Sequence, residues 1–230
     1  MGRGRAAAAA AAAFMFVAAS PMPTAAASVG LAPGTKLFFR GGGECSLGFL
    51  ATNAAGDRLA VTAGHCANDV DQEVLSEHGN RIGWVAHHTP DKIAAGVYGV
   101  TLINLSGNTY TADAYFTQFG NPSVGDHVAK FGARTDKTEG TVVDISVDPD
   151  HPWRSQMEST LVGLPGDSGS AWVGDGAKGP VLVGLNIGHT IRKDGGYGFA
   201  IGFPIRSLIA VVKANSPHWG PGFTPVGPET

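Results

Sequence analysis

The sequence predicts an all-β protein: two packed antiparallel six-stranded barrels followed by one C-terminal helix. Three observations lead there. Glycine is abundant (34 of 230 residues) and dispersed rather than periodic, and only 15% of residues are charged. That composition suits many short strands joined by tight turns. Runs of strand character recur along the chain with turn signals between them, about six in each half. Only residues 205–214 have helical character, opening after Pro204 and followed by Pro217.

In chain order, residues 1–27 read as a signal peptide. Arg3 and Arg5 form a positive start, Ala6 to Ala19 is apolar but short for a membrane span, and Ala25 to Ala27 offers small residues before a cut at Ser28. The folded domain is expected over 28–215. Strands at 36–39, 46–51, 58–62, 73–75, 81–86 and 98–105 build the first barrel, about 36–105. Residues 106–123 lack a clear period and read as the connection. Strands at 127–131, 140–147, 157–162, 170–173, 181–187 and 198–203 build the second, about 124–204. After the helix, 216–230 is a Pro/Gly-rich tail expected at the surface.

Composition also excludes partners. The formal net charge is −3, with no basic stripe to suit nucleic acid. No run after the leader is long and apolar enough to span a membrane. The two cysteines, in a chain read as secreted, suggest one disulfide, Cys45 to Cys66, with a pair of free buried thiols as the alternative. His78, His87, His88, His127, His151 and His218 show no metal-ligand spacing. His87 and His88, neighbours on a strand, point to opposite faces. No metal or cofactor is implied.

Two short runs carry chemistry: Thr62-Ala63-Gly64-His65-Cys66 and Gly166-Asp167-Ser168-Gly169-Ser170. A serine hydroxyl is a poor nucleophile at neutral pH until an imidazole can take its proton. Glycines around it let the backbone turn sharply and aim N–H groups at an oxyanion. In isolation His65 would read as a core histidine and Ser168 as a turn serine. Together, with Cys45 about 20 residues upstream and with 128–135 running on to Gly140-Thr141-Val142, the sequence resembles the chymotrypsin-fold (trypsin-like) serine proteases, in their bacterial streptogrisin-like branch. The resemblance covers nearly the whole mature chain. It implies a secreted serine endopeptidase acting on peptide or protein substrates, with Ser168 as nucleophile and His65 as general base and then acid. It further implies an oxyanion hole from the N–H groups of Gly166 and Ser168, a Cys45–Cys66 bridge, and a buried Asp167 paired with Arg134.

The third triad member departs from the family pattern. Where the family opens a strand with Asp-Ile-Thr-Leu-Leu, this chain has Gly99-Val100-Thr101-Leu102-Ile103. The family's serine that hydrogen-bonds this acid aligns with Ile187, which cannot solvate a buried carboxylate. The acid is therefore unassigned and slow hydrolysis is expected. Asp91 and Asp113 are the other candidates, and both read better as solvent-exposed loop residues. Two alternatives stay open: a protease-fold binding protein that has lost catalysis, and a secreted esterase. Specificity positions by resemblance include Val162, Leu164, Gly188 and His189. With no aspartate among them, they favour small or apolar side chains over Lys or Arg.

Overall fold

The computed structural model describes Met1 and residues 28–110, 115–116 and 118–226. The expected leader, Met1 apart, and Asp113 lie outside the described residues.

The first half holds β1 (Val29–Gly30), β2 (Lys36–Phe39), β3 (Glu44–Ser46), β4 (Phe49–Thr52), β5 (Leu59–Ala63), β6 (Glu73–Leu75), β7 (Arg81–Thr89), β8 (Val100–Leu105) and β9 (Thr109–Tyr110). The second holds β10 (Gln118–Phe119), β11 (His127–Gly132), β12 (Asp136–Ser146), β13 (Gln156–Ser159), β14 (Ala171–Gly174), β15 (Val181–Ile191) and β16 (Tyr197–Pro204). Helix α1 (Ile205–Asn215) and β17 (Thr224–Pro225) end the fold.

The double-barrel architecture holds, with a difference between the halves. In the second, β15, β14, β11, β12, β13 and β16 close on themselves through the β15–β16 pairing. In the first, eight strands run in the order β17-β4-β5-β8-β7-β6-β2-β3 as a half-barrel whose end strands are not paired with each other.

Register in the first sheet positions the chemistry. Strand β5 is buried along its whole length and pairs with β8 so that Thr62 faces Thr101 and Ala63 faces Val100. The end of β5, which leads into a tight 3-10 turn at Gly64–Cys66, therefore lies beside the start of β8. Strand β7 runs to Thr89, three residues past the sequence expectation, and its end also pairs with Val100. Residues 90–99 are thus a loop pinned at both ends against the His65 turn.

Helix α1 buries Ile205, Leu208, Ile209, Val211 and Val212, apolar residues at helical spacing, in the main core. The tail does more than cover the surface. Phe223 is fully buried, and β17 pairs antiparallel with β4, which turns residues 216–226 back into the first sheet. No helix among the described residues is long and apolar enough to cross a membrane.

Candidate active site

His65 stands on the turn after β5, held from three directions. Cys66 is bonded to Cys45, as expected, across a Cα–Cα distance of 6.0 Å. The carbonyl of Gly64 accepts a hydrogen bond from His88 Nε2 at 2.8 Å. The third hold is Asp91. Its side chain is only 1% exposed, and Oδ2 lies 2.5 Å from His65 Nδ1. The same oxygen accepts the His65 backbone N–H at 3.1 Å, and Oδ1 accepts the N–H of Gly99. A carboxylate can only accept here, so Nδ1 carries a proton, and in the neutral imidazole that tautomer leaves the Nε2 lone pair free to act as a base.

This corrects two sequence expectations. Asp91 is not a solvent-exposed loop residue, and the imidazole does not lack a carboxylate. The acid enters from the loop, eight residues before Gly99. It fits because glycines leave room: a Cβ on Gly99 would land on the Thr89 carbonyl oxygen, and one on Gly64 would meet that same oxygen and the Asp91 carboxylate. Two backbone N–H groups and the imidazole satisfy the carboxylate, so the missing serine hydroxyl is not needed. Ile187, at the serine's expected place, is simply core. The overlooked sequence signal was the pair of glycines at 64 and 99, each marking a close approach.

The Ser168 turn needs its glycines. Gly166 has φ +103° and Gly169 φ +83°, both in the region that disfavours side chains. The turn is tied to the first sheet where the Ser46 N–H donates to the Ser168 carbonyl at 2.8 Å. Ser46 follows Cys45, whose partner Cys66 follows His65, so one short path of bonds links the two motifs. Among the described residues no hydrogen bond joins the Ser168 hydroxyl to His65, and such contacts are often loose without a ligand. The sulfurs of Cys45 and Cys66 lie close to the His65 ring, but both are spent in the disulfide, so the trio is no metal site.

Asp167 is fully buried, as expected, but its cationic partner is Lys130 rather than Arg134. Lys130 Nζ lies 3.1 Å from Oδ2 with both side chains inaccessible to solvent. Thr135 Oγ1 donates at 2.7 Å, and the backbone N–H groups of Leu164, Arg134 and Thr135 donate at 3.0 Å each. Burial pushes the Asp167 carboxyl up. The Leu164 N–H, the Thr135 hydroxyl and the Lys130 ammonium together outweigh it and hold the group below the usual carboxylate range. Burial likewise draws Lys130 below an ordinary lysine, with Asp167 opposing.

The physical reason is strand alternation. Val128, Lys130 and Gly132 lie on the same face of β11, and a Cβ on Gly132 would collide with the Asp167 carboxylate. Arg134, past the strand end, is exposed. It reaches Asp167 only through its backbone N–H, while its guanidinium donates to the Pro165 carbonyl at 3.0 Å. An inward-facing lysine, seldom buried unless paired, was the sequence signal for this partner.

Comparison with known proteins decides the family. The chain is 30% identical over 182 residues to glutamyl endopeptidase 2 of Streptomyces griseus, covering 75% of this chain and 92% of that protein. The chain belongs to the chymotrypsin-fold serine proteases, in their streptogrisin-like branch. This endopeptidase is also 27% identical over 176 residues to serine protease 2 of Streptomyces fradiae, covering 69% of this chain and 94% of that one.

Among solved structures, a Nocardiopsis protease matches with a TM-score of 0.60 at 22% identity, covering 79% of this chain and 96% of the other. A glutamic acid specific serine protease described as using a histidine triad in substrate binding matches with a TM-score of 0.60 at 24% identity, covering 77% and 95%. Both share the fold. No family model matches the chain. The protein is a serine endopeptidase acting on peptide or protein substrates. The expectation of slow hydrolysis rested on an empty Nδ1 side of the imidazole, which Asp91 fills, and the binding-protein and esterase alternatives find no support.

Proposed function

We propose that this endopeptidase cleaves peptide bonds with a Ser168–His65–Asp91 triad. The observation that carries the reading is the buried Asp91 carboxylate 2.5 Å from His65 Nδ1. Ser168 Oγ attacks the scissile carbonyl carbon while His65 Nε2 takes its proton. The N–H groups of Gly166 and Ser168 stabilise the oxyanion. The imidazolium then protonates the leaving amine as the C–N bond breaks. Water, deprotonated by His65, releases the acyl group and regenerates Ser168. Asp91 holds the reactive tautomer and stabilises the transient imidazolium.

The mature enzyme is read as secreted and as starting at Ser28, on the strength of the leader pattern in 1–27 and of a disulfide, which suits an oxidising compartment. Small or apolar residues before the cleaved bond are the preferred substrates, supported by Val162, Leu164 and Gly188 at the specificity positions. Burial holds the pKa of His189 below the ordinary 6.5, which favours its neutral form there.

The test pairs fluorophosphonate labelling with peptide hydrolysis. Labelling is expected in the wild type and absent in Ser168→Ala. Asp91→Asn should lower kcat about 10⁴-fold, as an amide does in an authentic triad. A panel of peptides with Ala, Leu, Glu or Lys before the cleaved bond tests the preference, and best cleavage after Glu would replace it. Labelling that survives Ser168→Ala, or full activity in Asp91→Asn, would overturn the assignment.

A further inference from the structure

We propose that Arg134 is a positioning residue for the oxyanion hole, acting through the Pro165–Gly166 peptide. The inference rests on the reading of Ser168 as nucleophile and of the Gly166 N–H as an oxyanion donor. That N–H shares a peptide plane with the Pro165 carbonyl. In a trans peptide the two point in opposite directions, so whatever holds the carbonyl aims the N–H. The plane adjoins Gly166, which has no Cβ to restrict its rotation and sits at φ +103°. An external hold is therefore required.

Arg134 supplies it. Nη1 donates to the Pro165 oxygen at 3.0 Å, and the side chain runs along the glycine: a Cβ built on Gly166 would lie 3.4 Å from Arg134 Cβ and 3.6 Å from its Cδ. The base of the arginine is itself fixed, because its backbone N–H donates to Asp167 Oδ1 at 3.0 Å. The next carbonyl along, that of Gly166, is clamped in a matching way. Ser46 Oγ donates to it at 2.9 Å and accepts the Ala133 N–H at 2.9 Å. Residues 133–134 thus grip both peptide planes that flank Gly166, one through a guanidinium and one through a serine hydroxyl. A guanidinium suits the outer position because it stays charged at every working pH and its donors are held in a planar fork. Unlike Lys130, Arg134 is exposed, so its removal leaves no buried charge behind. Its loss should register in catalysis and not in folding.

The test compares wild type, Arg134→Ala and Arg134→Lys. The readouts are kcat and KM on a peptide amide, affinity for a peptidyl boronic acid whose tetrahedral adduct places an oxygen in the hole, and thermal midpoint. Arg134→Ala should lower kcat about tenfold, short of the 10²–10³ lost when a donor is removed outright. KM should stay within about twofold, and boronate affinity should fall in step with kcat/KM. The midpoint should hold, and Arg134→Lys, with one ammonium for the fork, should recover part of the loss. Unchanged kcat and boronate affinity in Arg134→Ala would overturn the proposal, as would activity that falls only alongside the melting midpoint in both variants. Fluorophosphonate labelling of the wild type, run beside these, separates the two readings. A wild type that does not label sinks both, whereas a labelled wild type with an indifferent Arg134→Ala sinks this one alone.

Discussion

Replacing Gly99 with alanine adds one methyl group at the start of β8, and the structure has no space for it. The new Cβ would overlap the Thr89 carbonyl oxygen, with the Thr89 and Pro90 carbonyl carbons at 2.7 and 2.9 Å. All three are backbone atoms, so no side chain can swing aside, and relief requires moving the segment that leads into Asp91. Overpacking of this kind costs about 1–3 kcal/mol. For a domain of this size, each kcal/mol lowers the melting midpoint by roughly 2–4 °C. A fall of about 2–12 °C is therefore expected, measured by circular dichroism. The catalytic effect should be larger. The Gly99 N–H donates to Asp91, and displacing a catalytic group by about 1 Å can cost 10²-fold in rate. Gly99→Asp, which would rebuild the family's strand-opening acid, should damage the enzyme for the same reason. An alanine variant with wild-type midpoint and kcat would show that the strand start has room, and would refute the account of why the acid comes from the loop.

Three further outcomes follow from the ion pairs and the disulfide. Lys130→Met should strand the Asp167 carboxylate and cost about 3–5 kcal/mol, read from denaturant unfolding, whereas Arg134→Ala should leave stability nearly unchanged; equal effects would refute the assignment of Lys130 as partner. The depressed pKa of Asp167 stabilises the fold fully above the ordinary carboxyl value of 3.8, and that contribution is lost as pH falls through the lower folded value. Stability should therefore decline on acidification below about pH 4, and Asp167→Asn should flatten the decline; an unaltered acid-unfolding curve in that variant would count against it. Paired Cys45→Ala and Cys66→Ala substitutions should cost about 3 kcal/mol for a loop of this length and lower kcat by loosening the His65 turn, and a fully active double variant would argue that Asp91 and His88 suffice to hold it.

The sequence by itself determined what depends on local backbone demands and periodicity. The strand runs followed from alternation, the helix from its spacing, and the Ser168 turn from glycines that only positive φ explains. His65 and Cys66 were legible because the residues needed there are adjacent in the chain. With two cysteines in the chain the sequence left a Cys45–Cys66 bridge or two free thiols, and the structure shows the bridge. Tertiary structure decided which charged groups meet. Asp91 looked like a loop residue because nothing local shows that β7 extends to Thr89 and folds residues 90–99 against the His65 turn. Arg134 looked like the partner of Asp167 because it lies near the matching place in the chain, yet the inward face of β11 presents Lys130 instead. The tail paired with β4 because Phe223 found a buried site, which its Pro- and Gly-rich surroundings do not reveal. In each case the deciding object is a space. Gly64, Gly99 and Gly132 each omit a side chain: the Asp91 and Asp167 carboxylates lie against the spaces at Gly64 and Gly132, and the Thr89–Pro90 backbone lies against that at Gly99. A glycine shows in the sequence that something comes close, and only the folded chain shows what.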